Sequence, residues 1–86
     1  DIGNWVFMFD NHFDHYLDAL AYSCPMPLLK TKQALRHMNV GEVLKVVASD
    51  PGSVRDFNAF VKHGNLEMLA MYEYEDQYLY YIRKSA

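Results

Sequence analysis

With 86 residues, 51% of them hydrophobic, and a formal net charge of -3, the chain has the size of one small domain and enough apolar content to bury a core without disulfides or metal. The acidic balance argues against wholesale attraction to nucleic acid, because phosphate binding draws on a clear basic excess. A single cysteine excludes an internal disulfide, and the longest apolar run near the start, Trp5 to Phe9, falls far short of the ~20 residues that cross a bilayer. With no charged-then-apolar leader at the start, the expectation is a soluble protein of the reducing cytoplasm that does not engage a membrane.

Residues 1–15, "DIGNWVFMFDNHFDH", mix aromatics with Asp, Asn and His in no regular pattern. They read as an N-terminal extension, which leaves an added edge strand, a partner contact and a tail all open. Residues 16–86 form the domain. "YLDAL", from Tyr16, is a short strand candidate. A helix is expected to start beside Pro25 and Pro27, since prolines are tolerated in a first turn. Leu28, Thr31, Leu35 and Met38 then recur at steps of three and four, while Lys30, Gln33, Arg36 and His37 point elsewhere, as in an amphipathic helix. Gly41 lies just past its expected end.

"VLKVVAS", residues 43–49, has the β-branched content of a buried strand. "DPGS" follows, with Asp50 as the expected cap and Pro51 as a first-turn residue of a second helix. Val54, Phe57, Phe60 and Val61 give that helix its apolar face, and "HGN" at 63–65 stops it. Leu66, Met68, Ala70, Tyr72 and Tyr74 alternate as one stripe of a strand, a turn sits near "EDQ", and "YLYYIR" at 78–83 returns. The order β-α-β-α-β-β predicts an α/β (α+β) two-layer sandwich, a four-stranded mixed sheet with two helices on one face.

Cys24, the one thiol, stands where the first helix begins. With Cys24 as N-cap, Pro25 and Pro27 fall at the first and third helical positions, and the free donors are those of Cys24 and Met26. The Met26 N–H is the expected partner of the sulfur. A helix N-terminus favours negative charge by ~0.3 to 1 kcal/mol, up to ~2 when sheltered, so the dipole lowers the thiol pKa by roughly one unit at most. The position three residues on, where a thiol–disulfide oxidoreductase keeps its resolving cysteine, is Pro27. A group carried on Cys24 therefore leaves only to another molecule. The other reading, a buried inert cysteine packed as a small hydrophobe, stands beside it at this point.

The run "YLDALAYSCPMPLLKTKQALRHMNVGEVLKVVASDPGSVRDFNAF" resembles the TusA/SirA-like sulfur carriers. Their pattern is a strand ending in Leu-Asp, a Cys-Pro-x-Pro motif opening helix one, a strand, and an Asp-Pro pair opening helix two. The resemblance runs from about Tyr16 to Lys84 and implies a β-α-β-α-β-β sandwich similar to the C-terminal domain of bacterial translation initiation factor three. It implies a persulfide on Cys24, with Pro25, Met26 and Pro27 supporting the helix start. Asp50 and Pro51 match the Asp-Pro pair, and Asp56 matches an acidic residue that often follows. Two departures are Ala21, where the family commonly has Gly, and Met26, where the tRNA-thiolation members carry an acidic residue. The implied partners are a cysteine desulfurase or other persulfide donor and a downstream sulfur-acceptor protein. The implied settings are tRNA thiolation, molybdenum cofactor supply, selenium metabolism and thiosulfate handling. Such sulfur transfer calls for no cofactor.

Two rival readings belong to other classes. In one, the domain is a non-enzymatic regulatory or protein-interaction module in which Cys24 is dispensable. In the other, Tyr72, Tyr74, Tyr78, Tyr80 and Tyr81 form a base-stacking sheet, against which stand the acidic balance and the ordinary strand packing of alternating tyrosines. Lys30, Lys32 and Arg36 either meet an acidic partner or form a solvated helix face. Asp50, besides capping, is a candidate to hold the thiol loop or a partner, with Pro51 and Asp56 as further possible contacts; by default Asp56 and Arg55 read as solvated charges, and His12 and His15 as surface residues without a third ligand.

Overall fold

In the computed structural model, which describes residues 12–85, the elements follow the expected order: β1 (His15–Ala19), α1 (Met26–Arg36), β2 (Val43–Ala48), α2 (Gly52–His63), β3 (Leu66–Tyr74) and β4 (Gln77–Lys84). The sheet order is β1-β2-β4-β3. β1 runs parallel to β2, and β4 is antiparallel to both β2 and β3. The sandwich is the one expected. The first strand starts at His15, and just before it the Asp14 N–H donates to the Val43 carbonyl at 2.8 Å while the Asp14 Oδ2 accepts from the Val43 N–H at 2.9 Å. That backbone donor holds the Asp14 carboxyl below its ordinary pKa. The rest of the expected extension, residues 1–11, lies outside the described residues.

Both helices pack on one face of the sheet, though Val54 and Val61 of the expected second stripe are only half-buried and stand outside the core cluster. Leu35 and Met38, with Leu28 partly buried, and Phe57, with Phe60 partly buried, meet Ala19, Leu44, Val46, Ala48, Tyr80 and Ile82 in one cluster. Two polar residues enter that core because each is satisfied there, as burial of a polar group requires. Thr31 Oγ1 donates to the Pro27 carbonyl one turn back at 2.8 Å, and Ser53 Oγ shares a 2.7 Å hydrogen bond with the Tyr80 hydroxyl. The Tyr80 ring also stacks on Phe57, with centroids 4.3 Å apart. Burial pushes the Tyr80 phenol up from its ordinary pKa, an effect that the Ser53 bond opposes.

Three local expectations change. The first helix begins at Met26 with Pro25 as N-cap, so Pro27 is its second residue and Cys24 lies outside it. Gly41 is not the residue that stops this helix, which ends at Arg36. Gly41 instead takes φ +93 in the turn before β2, where its N–H donates to the Lys84 carbonyl at 2.7 Å; such a φ favours glycine. At the end of α1 the Lys84 ammonium donates to the Leu35 carbonyl at 2.8 Å, which also accepts from the Met38 N–H at 3.2 Å, and just past the helix to the Met38 carbonyl at 2.9 Å. Finally, the stripe Leu66, Met68, Ala70, Tyr72 and Tyr74 does not stay on one face. A register shift between Met68 and Ala70 puts Met68 opposite Ile82 but Ala70 opposite Tyr81. Cross-strand partners point to the same face, so Leu66 and Met68 face the helices, whereas Ala70, Tyr72 and Tyr74 face away.

That shift also decides the tyrosines. Tyr78 and Tyr80 face the helices, whereas Tyr72 and Tyr81 share the other face in an edge-to-face contact at 6.1 Å. They do not form one platform. The β3–β4 turn is Glu75–Asp76, both with positive φ, 49 and 64, as a two-residue primed turn demands. Among the described residues no helix is long and apolar enough to cross a membrane.

Candidate functional site

The loop from β1 to α1 is tethered by side chains brought from several elements. Asp18 Oδ1 accepts from the Leu20 N–H at 3.0 Å, Ser49 Oγ donates to the Leu20 carbonyl at 2.7 Å, and the Met26 N–H closes a turn onto the Ser23 carbonyl at 2.9 Å. Cys24 emerges from this loop exposed. Both donors reckoned free at the helix start are thus used: Met26 by Ser23, and the Cys24 N–H by Asp50 Oδ2 at 3.1 Å. Asp50 accordingly does not cap α2, which has Pro51 at its N-cap position and no side-chain cap. Its carboxylate holds the thiol loop.

The sulfur meets an acceptor. Cys24 Sγ donates to Asp56 Oδ2 at 2.8 Å, and the expected stabilisation of a thiolate by α1 is reversed. The Asp56 hydrogen bond, with desolvation and the charges of Asp56 and Asp50, pushes the thiol above its ordinary pKa, and Arg55 only partly offsets them. An acceptor bond favours the form that has a proton to give, and two nearby carboxylates disfavour an anion. The resting sulfur is a thiol.

The other residues singled out in the sequence divide between support and surface. Pro27 is buried under the helix, and Pro25 and Pro51 are exposed. Met26 is 37% exposed beside the motif. The Lys30 ammonium lies 5.5 Å from the Tyr22 ring centre and that of Lys32 5.4 Å from the Phe60 ring centre; Lys32 is exposed and Lys30 half-buried. A shallow groove of about 310 Å³ lined by Leu28, Lys32, Asp56, Ala59, Phe60 and His63 shares Asp56 with the thiol. His12 and His15 are placed against acids, Asp14 at 3.2 Å and Glu42 at 2.9 Å.

Gly52 was missed in the sequence. A β-carbon there would lie 3.0 Å from Asp50 Oδ2 and 3.8 Å from Cys24 Sγ, so the bare backbone of α2 lets Asp50 and the thiol loop come close. The glycine of "DPGS" was the available signal. The role of Asp56 was hidden because the residue stands 32 positions from Cys24 and looks like any charge on a helix.

The fold and site together define a small two-layer carrier-type domain: one exposed thiol, at the tip of a loop beside two helix ends, with carboxylates around it. The family model "Sulfurtransferase TusA" matches residues 15–84. A similar protein is "Sulfur carrier protein TusA" of Allochromatium vinosum, 44% identical over 73 residues that cover 85% of this chain and 96% of the relative. The chain belongs to the TusA family.

Proposed function

We propose that this protein is a cytoplasmic sulfur carrier that relays persulfide sulfur on Cys24 from a donor protein, most simply a cysteine desulfurase, to an acceptor protein thiol. The observation that carries the reading is the exposed Cys24 thiol in a Cys-Pro-x-Pro loop, hydrogen-bonded to Asp56. Membership of a sulfurtransferase family and the likeness to a protein named a sulfur carrier support it.

In the loading step the Cys24 sulfur attacks the outer sulfur of the donor's persulfide. The donor's S–S bond breaks, a Cys24 S–S bond forms, and the donor thiolate leaves. The proton displaced from Cys24 is received by Asp56 and passed to the departing thiolate, so one thiol and one persulfide become one persulfide and one thiol. Unloading is the same exchange in reverse, with the acceptor thiolate attacking the outer sulfur. No external oxidant or reductant is consumed.

The carboxylates serve both states. Between encounters Asp56 keeps Cys24 protonated and slow to oxidise, since oxidation follows thiolate character. After loading, Asp50 and Asp56 repel a persulfide anion and favour handing it on. Pro27, in place of a resolving cysteine, leaves the sulfur no exit within the chain. Lys32 and His63, on the groove that shares Asp56, suit an acidic, partly apolar partner segment.

The test is intact-mass analysis after incubation with a cysteine desulfurase and cysteine. Wild type gains about 32 Da, roughly one sulfur atom, and Cys24→Ser gains nothing. No adduct on wild type, or the same adduct on Cys24→Ser, contradicts the reading.

A further inference from the structure

Three large apolar side chains stand exposed around Cys24: Tyr22 at 37%, Met26 at 37% and Leu29 at 43%. They form one strip. The Tyr22 backbone is held by a 3.2 Å hydrogen bond from its N–H to the Ala19 carbonyl, and its ring lies under the Lys30 ammonium at 5.5 Å. On α1, Met26 stands four residues before Lys30 and three before Leu29, separations at which the side chains of a helix are neighbours. The same helix turns Pro27, Thr31 and Leu35 into the core, so the strip lies on the side away from the sheet. Adjoining exposed apolar side chains beside a reacting atom mark a contact surface.

We propose that Met26, with Tyr22 and Leu29 around it, selects the partner thiol: the strip seats a cysteine-bearing loop that has a bulky aliphatic residue next to its cysteine and an acidic residue within reach of Lys30. This rests on the carrier reading, in which a partner sulfur comes within bonding distance of Cys24 Sγ. On the α2 side that approach is crowded, since Asp56 Oδ2 lies 2.8 Å from the sulfur and Asp50 Oδ2 3.1 Å from the Cys24 nitrogen. The α1 side offers the exposed strip. It also offers charge of one sign, because α1 carries Lys30, Lys32 and Arg36 and no acid. Carboxylates on a partner are drawn to that side and cations are turned away. Removal of apolar surface from water then favours the loop with the aliphatic neighbour. Selection of this kind acts on how tightly the partner is held and leaves the exchange at sulfur as it is.

The probes are three synthetic peptides activated as thionitrobenzoate disulfides, identical except beside the cysteine: leucine with aspartate, serine with aspartate, and leucine with lysine. Cys24 attacks the peptide's cysteine sulfur, a mixed disulfide forms and the coloured thionitrobenzoate leaves. Each rate is divided by that of the same peptide with N-acetylcysteine, which cancels the peptide's own reactivity. We expect wild type to favour the leucine–aspartate peptide several-fold over each of the others, through a lower half-saturating concentration. Met26→Gln should abolish the preference for leucine, and Lys30→Gln that for aspartate. Should a variant fail to fold, the wild-type preference among the three peptides decides. Equal rates for all three, or a leucine preference that survives in Met26→Gln with Leu29→Gln, overturn the proposal while the sulfur adduct from a desulfurase still forms; loss of that adduct instead removes the carrier reading itself. A dimer that Met26→Gln converts to monomer in sedimentation also overturns it, by making a second copy the occupant.

Discussion

Two polar side chains three residues apart on α2, Ser53 and Asp56, each make one short hydrogen bond to a residue from elsewhere in the chain, and they do opposite things. Ser53 meets the Tyr80 hydroxyl at 2.7 Å in the core, fully shielded by the sheet and both helices. Asp56 meets the Cys24 thiol at 2.8 Å at the surface. The buried bond is required for stability, because an unpaired polar atom there would lose its water without compensation. Water can replace the exposed bond at little cost. What the exposed bond sets is the protonation of a sulfur, and so its reactivity. One helix thus carries a structural contact and a chemical one on adjacent turns, separated by burial alone.

Substitutions sharpen that contrast. Tyr80→Phe strands the Ser53 hydroxyl and should cost about 1 to 3 kcal/mol in urea denaturation, with the alkylation rate of Cys24 unchanged. Ser53→Ala combined with Tyr80→Phe should recover much of the loss; a double variant as weak as the single would show that packing, not the bond, matters there. pH gives an independent check. The Tyr80 phenol is held above its ordinary value in the fold, whereas an unfolded tyrosine ionises near a pH of about 10. The folded state therefore holds more protons in the alkaline range, and stability should fall as pH rises past that point. Tyr80→Phe should flatten the fall, measured as the midpoint of denaturation against pH.

Smaller effects are expected away from both pairs. Lys84→Met removes the donor to the Leu35 and Met38 carbonyls and should cost about 1 kcal/mol, the scale of one hydrogen bond from a charged group at a helix end. At the hairpin, Glu75→Asn with Asp76→Gly suits the two positive φ values and should raise stability by about 1 kcal/mol. Both are read from thermal melts, with Cys24 reactivity as the unchanged control.

Where local pattern decides structure, the sequence was legible. The period of Leu28, Thr31, Leu35 and Met38, the β-branched run 43–49 and the Asp50–Pro51 start led to the right order of elements. The prolines drew attention to Cys24 but left the inert-cysteine reading beside it, and it was the resemblance that assigned the thiol a carrier role. What stayed hidden depends on tertiary placement. Ser53 sits beside an apolar stripe and reads as a polar first-turn residue until Tyr80 is brought to it. The β3 stripe looks continuous because a bulge leaves no mark on apolar alternation. The thiol environment was read with the wrong sign: the dipole of α1 is a local property, whereas Asp50 and Asp56 arrive from the far side of β2, and charges at hydrogen-bond distance outweigh a helix end.

The pH dependence of Cys24 alkylation in wild type and Asp56→Asn, run with denaturation curves for both, tests most directly the claim that one helix separates stability from sulfur chemistry. The wild-type midpoint should lie above that of a free thiol, because Asp56 and Asp50 hold the sulfur protonated. Asp56→Asn should move the midpoint down and speed alkylation several-fold at neutral pH, with the denaturation midpoint almost unmoved. A wild-type midpoint at or below the free-thiol value, or an Asp56→Asn variant that loses stability while its thiol titrates as before, would contradict the account.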